Sequence, residues 1–193
     1  SDQFIVFVQN HDQVGNRPLG DRLDQSAGWD GARAAAALVL LSPFTPMLWM
    51  GEEYGEPAPF LYFVHHSDPA LIEAVRRGRA AEFAEFQIPG GVPDAQDEAT
   101  FRRSALAWEL RAKDRHAAML AYYAELLRLR PALNIPDRAD DADALVLDRT
   151  IVVRYGPDPA VLLIVNTGDS PATVPLVMVG GGPEQTYETL LDS

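Results

Sequence analysis

The sequence has no cysteine. This absence excludes a disulfide framework, a thiolate nucleophile and a cysteine-based zinc site, and it fits a reducing compartment such as the cytoplasm. The sequence also lacks any uninterrupted apolar run of about 18 residues, so that no transmembrane helix is expected. There is no initiator methionine and no secretory signal at residue 1, and we expect an internal start.

Basic residues are also few. Lys and Arg total 16 against 28 Asp and Glu, giving a formal charge of −12. This balance argues against nucleic acid or an anionic membrane surface as a partner. No G-x-S-x-G nucleophile elbow and no phosphate-binding glycine loop is present, which argues against a Ser-His-Asp hydrolase and a nucleotide-binding site. The 193 residues, 47% of them apolar, are enough for a substantial globular core.

The N-terminal part of the sequence predicts a parallel βαβ unit. Residues 4–9 (FIVFVQ) predict a strand buried on both faces, followed by a polar loop over residues 10–28. Residues 31–41 predict a buried helix, and residues 46–50 predict a second buried strand. A strand, loop, helix and strand in this order imply parallel pairing.

Three further helices are predicted downstream. Asp68 and Pro69 suit the N-cap and first turn of a helix that runs to about Phe86. A short helix follows near residues 98–106, and a longer amphipathic helix covers residues 115–130.

The pattern changes at about residue 139. Four apolar segments, ALVLD, TIVVRY, AVLLIVN and ATVPLVMV, are separated by clusters of Asp, Gly and Pro without an intervening helix. This arrangement predicts a small antiparallel β domain over residues 139–193, preceded by an α/β part over residues 1–135.

Polar side chains follow both predicted strands of the βαβ unit. Asn10-His11-Asp12 follows the first strand, and Gly51-Glu52-Glu53 follows the second. The carboxyl ends of parallel strands carry functional side chains in such folds. Carboxylates there suit a neutral, hydroxyl-rich substrate, because they accept hydrogen bonds from sugar hydroxyls and stabilise positive charge at an anomeric carbon.

The residues alone leave alternatives open. The polar cluster after the first strand could be a capped turn, and Glu52-Glu53 could be a solvated loop. The aromatic residues Phe60, Tyr62 and Phe63 suit either sugar stacking or ordinary packing. His65 and His66 are adjacent, a spacing that rarely binds one ion, and no metal is expected.

Longer motifs carry a family resemblance. FVQNHD (residues 7–12) resembles the seventh-strand signature of the α-amylase family of glycoside hydrolases, and TPMLWMGEE (residues 45–53) resembles its eighth strand. NHDQVGNRPLGDRL, GEEYGEPAPFLYFVHH and VPDAQDEATFRRSALAWE resemble the branch of this family that releases trehalose from maltooligosyltrehalose. In the third motif Ala95, Ala105 and Ala107 depart from the pattern.

The resemblance implies the last two βα units of a (β/α)8 barrel, followed by a C-terminal β-sandwich. It implies retaining hydrolysis of an α-1,4 bond, with Asp12 as the carboxylate that stabilises the transition state. It implies no cofactor, and a maltooligosyltrehalose or other α-1,4-glucan oligosaccharide as substrate. The expected substrate-binding residues are Asn10, His11, Gln13, Asn16, Arg17, Glu52, Glu53, Tyr54 and Phe60.

The family's nucleophile and acid/base lie on earlier strands, and neither motif occurs here. We therefore expect this chain to be the C-terminal third of an enzyme, inactive alone, with the rest of its own barrel N-terminal to residue 1. Two alternatives remain open: another enzyme of the family, such as a branching enzyme or amylase, and a non-catalytic barrel that binds carbohydrate or serves as a scaffold.

Overall fold

The computed structural model describes residues 3–86, 88–156, 160–179 and 186–192. It is an α/β structure. Its helices and strands within these ranges are β1 (Ile5–Val6), α1 (His11–Gly15), α2 (Leu23–Leu40), β2 (Thr45–Pro46), α3 (Pro69–Glu82), α4 (Glu98–Arg103), α5 (Asp114–Ala132), β3 (Ala142–Leu147), β4 (Thr150–Tyr155) and β5 (Val161–Asn166). Short 3₁₀ segments cover Glu52–Tyr54, Ala84–Phe86, Trp108–Ala112, Ile135–Asp141 and Leu176–Val179.

Strands β1 and β2 are parallel neighbours, as the sequence predicts, with Ile5 opposite Thr45. The Thr45 N–H donates to the Phe4 carbonyl at 3.0 Å, and the Met47 N–H donates to the Val6 carbonyl at 2.9 Å. Since α2 connects the two strands, the predicted βαβ unit is confirmed. Both strands are shorter than predicted, at two residues each.

The prediction that the first strand is buried on both faces is wrong for this chain. Phe4 is 66% exposed and Ile5 is 63% exposed. The physical reason is that this sheet has only two strands in the part of the chain that is described. A two-stranded sheet leaves the outer edge of each strand and much of its surface uncovered.

The polar loop predicted for residues 10–28 contains helical structure instead. Asn10 caps α1, because its side-chain oxygen accepts a hydrogen bond from the Gln13 N–H at 2.8 Å. Val14 is buried and anchors this short helix. Helix α2 then begins before the predicted start and is interrupted at Gly28, where φ is 73° and ψ is 173°.

The chain divides into two compact units, each built from separate segments of sequence. The first unit contains Ser1–Val8, Trp29–Met47 and Leu120–Ser193. The second unit contains Gln9–Gly28 and Leu48–Met119. Every residue that the sequence nominates for a site belongs to the second unit.

In the first unit, β3, β4 and β5 form an antiparallel sheet in that order. The predicted antiparallel strands are thus confirmed for the first three apolar segments. The fourth segment, ATVPLVMV, forms no strand in its described residues; Leu176–Val179 is a 3₁₀ turn. Pro175 precedes this turn, and proline cannot donate the hydrogen bond that a strand ladder needs.

Two side chains fasten α5 and β4 to the end of α2 within the first unit. The Arg130 guanidinium donates to the carbonyls of Leu40, Ser42 and Phe44. The Tyr155 hydroxyl donates to the Leu41 carbonyl at 2.6 Å. These donors satisfy carbonyls at the end of α2 and in the segment that follows it. Burial raises the pKa of Tyr155 to about 12, so this hydroxyl stays a donor at neutral pH.

In the second unit, aspartates cap two helices. Asp68 accepts from the Ala70 N–H at 2.8 Å at the start of α3, as predicted, and Asp97 accepts from the Ala99 N–H at 2.9 Å at the start of α4. Both helices end three or four residues before their predicted ends. None of the described helices has the length and apolar character needed to cross a membrane.

Candidate functional site

The cap of α1 presents the first group of nominated side chains. His11 and Asp12 occupy the first turn after Asn10, and their side chains are 66% and 72% exposed. The imidazole Nε2 of His11 lies 3.1 Å from Oδ1 of Asp12. This pair therefore offers an accessible carboxylate oriented by an imidazole, an arrangement able to bind a hydroxyl or to stabilise nearby positive charge.

The other nominated residues on and after α1 differ in their exposure to solvent. Gln13 and Asn16 are exposed. Arg17 is half-buried, and its guanidinium donates to the Asp21 carbonyl at 2.7 Å. Gln13 and Asn16 are therefore open to a ligand, whereas Arg17 also serves to hold the loop that follows α1.

Gln9, immediately before the cap, joins two parts of the site. Its side chain is buried; Nε2 donates to the Glu52 carboxylate at 3.2 Å, and Oε1 accepts from the Leu23 N–H at 2.8 Å. Because Gln9 is held at both ends, the chain leading into Asn10 has a fixed path. Gln9 was not among the residues predicted for the site.

Glu52 is buried beneath the site. Burial is the main reason that its pKa is raised to about 7. The neighbouring Glu53 carboxylate acts in the same direction, whereas hydrogen bonds from Trp49 and Gln9 and the charge of Arg22 oppose the change. Glu52 is therefore partly protonated near neutral pH. Because Glu52 is buried and accepts a hydrogen bond from Gln9, its part in this structure is to hold the residues of the site in position.

The raised pKa of Glu52 predicts a pH-dependent stability. The folded state keeps this proton up to about pH 7, whereas the unfolded chain releases it near 4.5, so that the contribution of Glu52 is present below pH 4.5 and is lost as pH rises toward 7. We expect the free energy of unfolding of the parent, relative to Glu52→Gln, to fall by up to about 3 kcal/mol across this window.

Urea unfolding of the parent and of Glu52→Gln at a series of pH values measures this difference, since contributions from other carboxylates cancel between the two proteins. Glu109→Gln, at an exposed position, serves as the control and should follow the parent. A parent curve that stays parallel to that of Glu52→Gln would contradict the raised pKa.

The turn after Glu52 is fixed by a second buried carboxylate, Glu56. Glu56 accepts hydrogen bonds from the Tyr54 hydroxyl at 2.6 Å, the Ala58 N–H at 2.8 Å and the Ala107 N–H at 2.7 Å. Burial and the bond to Glu56 raise the pKa of Tyr54, so that its hydroxyl donates. Tyr54 is itself buried and acts inside the turn.

The other nominated acid of this turn, Glu53, is half-buried. Its carboxylate accepts from the Gly51 N–H at 2.9 Å. Gly51 has φ of 90°, and an added side chain would lie 2.7 Å from Cβ of Glu56. The turn thus requires glycine at position 51.

Arg22 is the buried cation beneath this turn. Its guanidinium donates to the carbonyls of Ala58 at 2.7 Å and Met50 at 2.8 Å. Burial lowers the pKa of Arg22, while the carboxylates of Glu56 and Asp24 oppose that change. Arg22 and Glu56 were not predicted for the site. Arg22 lies within the motif NHDQVGNRPLGDRL, and its place in that motif is a signal that could have identified it.

Phe60 is held close to α1. Its N–H donates to the Gly20 carbonyl at 2.9 Å. Gly20 has φ of 66°, and an added Cβ would lie 2.5 Å from the Phe60 carbonyl oxygen, so this approach requires glycine. The ring of Phe60 lies 4.9 Å from that of Trp49, which in turn lies 6.0 Å from the ring of His11. Phe60 is thus connected to the exposed pair through Trp49.

Comparison with known proteins first defines the class. A crystal structure described as that of a candidate alpha amylase from Salmonella typhimurium matches with a TM-score of 0.79 and 40% identity, covering 89% of this chain and 30% of that one. The curated relatives specify an enzyme. Malto-oligosyltrehalose trehalohydrolase of Arthrobacter ramosus is 50% identical over 74% of this chain. The enzymes of the same name from Brevibacterium helvolum and Mycobacterium tuberculosis (strain H37Rv) are 47% and 38% identical, over 70% and 90% of it.

These similarities confirm the resemblance that the motifs indicated. The chain is homologous to the C-terminal portion of malto-oligosyltrehalose trehalohydrolases. It spans about a quarter of the length of these relatives: 25% of the Arthrobacter protein, 23% of the Brevibacterium protein and 30% of the Mycobacterium protein. A scan against models of protein families finds no match.

Proposed function

We propose that this chain is the C-terminal part of a retaining α-glycoside hydrolase of the α-amylase family that releases trehalose from maltooligosyltrehalose. The observation that carries the proposal is the exposed His11–Asp12 pair, presented by the cap of α1 within a segment similar to trehalohydrolases. The bond cleaved is the α-1,4 bond next to the trehalose unit.

Asp12 acts as a carboxylate that stabilises the transition state. Retaining hydrolysis passes through a transition state with positive charge at the anomeric carbon, and a fixed carboxylate nearby lowers its energy. The carboxylate of Asp12 is accessible, and His11 contacts it at 3.1 Å. His11 hydrogen-bonds the same sugar: with its Nε2–H turned toward the Asp12 carboxylate, the Nδ1 of a neutral ring accepts from a sugar hydroxyl.

The remaining nominated residues take two kinds of role. Gln13, Asn16 and Arg17 lie on or next to α1 and contact the trehalose end of the substrate, and Asn10 binds the substrate beside them. Phe60 supplies an apolar ring surface. Glu52, Glu53 and Tyr54 line the turn below; the burial of Glu52 and Tyr54 favours an indirect part in binding, through the shape of that turn.

The nucleophile and the acid/base belong to a part of the enzyme outside this chain. Residues 1–135 supply the last two βα units of a (β/α)8 barrel, and residues 139–193 form the C-terminal β-sandwich. The parallel β1–β2 pair and the exposed Phe4 and Ile5 support this proposal, because neighbouring barrel strands would cover them. The enzyme works without a cofactor, and a cytoplasmic location remains a prediction from the absence of cysteine.

An amylase is the second candidate, because the similar solved structure from Salmonella typhimurium is described as an alpha amylase. Product analysis separates the two candidates. The intact enzyme should release trehalose from maltotriosyltrehalose and act slowly on amylose. Maltose and longer maltooligosaccharides as the main products from amylose would favour an amylase, new α-1,6 linkages would favour a branching enzyme, and binding without hydrolysis would favour a scaffold.

A further inference from the structure

Helix α3 carries three arginines close together, and the structure places them in different surroundings. Arg76 pairs with Asp94, its Nη2 lying 2.7 Å from Oδ2 of the carboxylate. Arg77 is exposed to solvent. The side chain of Arg79, in contrast, is only 11% exposed. Because a charged side chain is rarely buried without partners, the contacts of Arg79 indicate what it does.

The Arg79 guanidinium lies between two aromatic rings. Its central carbon is 4.6 Å from the ring centroid of Tyr62 and 4.9 Å from that of Phe83. Both distances lie within the range of cation–π attraction. Burial lowers the pKa of Arg79, whereas the Glu82 carboxylate, 3.5 Å from Nη1, opposes that change. The cation is therefore withdrawn from water and held between α3 and the segment that contains Tyr62.

The remaining contact of Arg79 is with the end of α1. Its Nη2 donates to the carbonyl of Gly15, the last residue of α1, at 3.5 Å. The ring of Phe60 lies against the same residue, since a Cβ added at Gly15 would be 3.5 Å from Cδ1 of that ring. A cationic side chain near the carboxyl end of a helix stabilises the carbonyls there. Arg79 thus joins α3 to the C-terminal end of α1.

The two ends of α1 carry different parts of the proposed site. The N-terminal end, capped by Asn10, presents Asp12. The C-terminal end leads directly from Gly15 into Asn16 and Arg17, which are proposed to contact the trehalose end of the substrate. The cap therefore fixes the group that acts on the reacting bond, and Arg79 fixes the groups that bind trehalose.

We propose that Arg79 is a positioning residue that sets the preference of the enzyme for trehalose. By holding the Gly15 carbonyl, it keeps Asn16 and Arg17 where they contact the trehalose end, while the cap at the other end of α1 holds Asp12. Arg79 acts through α1 rather than by touching the substrate. This inference rests on the proposed function for its substrate.

The test compares maltotriosyltrehalose with maltopentaose, a chain of equal length without trehalose, in the intact enzyme. The side chain in Arg79→Met fills the space between the rings but cannot donate. For this variant we expect kcat/KM for maltotriosyltrehalose to fall roughly tenfold, mainly through KM, and kcat/KM for maltopentaose to stay at the parent value. Arg79→Lys retains a cation and should lie between the parent and Arg79→Met. Arg77→Ala, at an exposed position of the same helix, is the matched control.

Hydrogen exchange provides a measurement that does not depend on activity. The backbone N–H groups of Asn16 and Arg17 donate to the carbonyls of Asp12 at 3.3 Å and Val14 at 3.1 Å. We expect both amides to exchange faster in Arg79→Met than in the parent, because α1 then opens more easily at its C-terminal end. Mass spectrometry of peptides that cover residues 10–20 measures this difference.

Equal losses on the two substrates, or no loss on either, would overturn this role of Arg79. If the parent shows no preference for maltotriosyltrehalose over maltopentaose, the proposed function fails. The exchange measurement then decides by itself whether Arg79 positions α1, and unchanged exchange in Arg79→Met would overturn that role.

Discussion

Replacing Asp12 by alanine in the intact enzyme should lower kcat by about 1,000-fold while leaving the thermal unfolding midpoint at the parent value. The effect on kcat follows from the proposed role of this carboxylate, which is to stabilise charge that develops only in the transition state. The effect on stability is small because the side chain is 72% exposed and its contact with His11 is a surface interaction. Steady-state kinetics and a thermal melt of the same preparation measure both quantities.

Asp30→Ala provides the control for this experiment. Asp30 is another aspartate with a highly exposed side chain, and it is paired with Arg33 on α2. Its removal should change neither kcat nor KM. A rise in KM alone for Asp12→Ala would assign Asp12 to uniform substrate binding and would contradict its role in the transition state.

Replacing Glu56 by alanine should produce the largest loss of stability, about 3 to 5 kcal/mol in the free energy of unfolding. The substitution leaves the Tyr54 hydroxyl and two backbone N–H groups without their acceptor, and it removes the carboxylate that most favours the buried charge of Arg22. Urea unfolding of the intact protein measures the loss.

Two further variants serve as comparisons for the stability of Glu56→Ala. Glu56→Gln keeps one carbonyl acceptor and should lose less stability than Glu56→Ala. Glu73→Ala, at an exposed position of α3, should stay within about 0.5 kcal/mol of the parent. If Glu56→Ala were as stable as Glu73→Ala, the carboxylate of Glu56 would not hold the turn.

Local signals in the sequence were sufficient to predict several helices and strands of this structure. The Asp68-Pro69 pair specifies the start of α3 because an aspartate cap and a proline in the first turn act within a few residues. The apolar segments separated by turn residues specify β3 to β5 in the same way. The exposed polar side chains after β1 also follow from the local pattern, since a polar cluster at a strand end rarely packs inside.

Other parts depend on contacts that no local pattern encodes. Gln9 and Glu52 are 43 positions apart, and Glu56 and Ala107 are 51 apart, so that the buried hydrogen bonds beneath the site emerge only in three dimensions. The helix over His11–Gly15 was missed because it is one short turn that depends on the Asn10 cap. The exposure of the first strand was missed because burial depends on neighbouring strands, which the pattern of one strand cannot supply.

The central claim is that this chain completes a hydrolase specific for the bond next to trehalose. The most direct measurement is the product released by the intact enzyme from maltotriosyltrehalose, resolved by chromatography and compared with the products from amylose under the same conditions. We predict free trehalose and maltotriose from the first substrate at a rate far above any hydrolysis of amylose. Cleavage at internal bonds that leaves glucose units attached to trehalose, or faster hydrolysis of amylose, would contradict the claim.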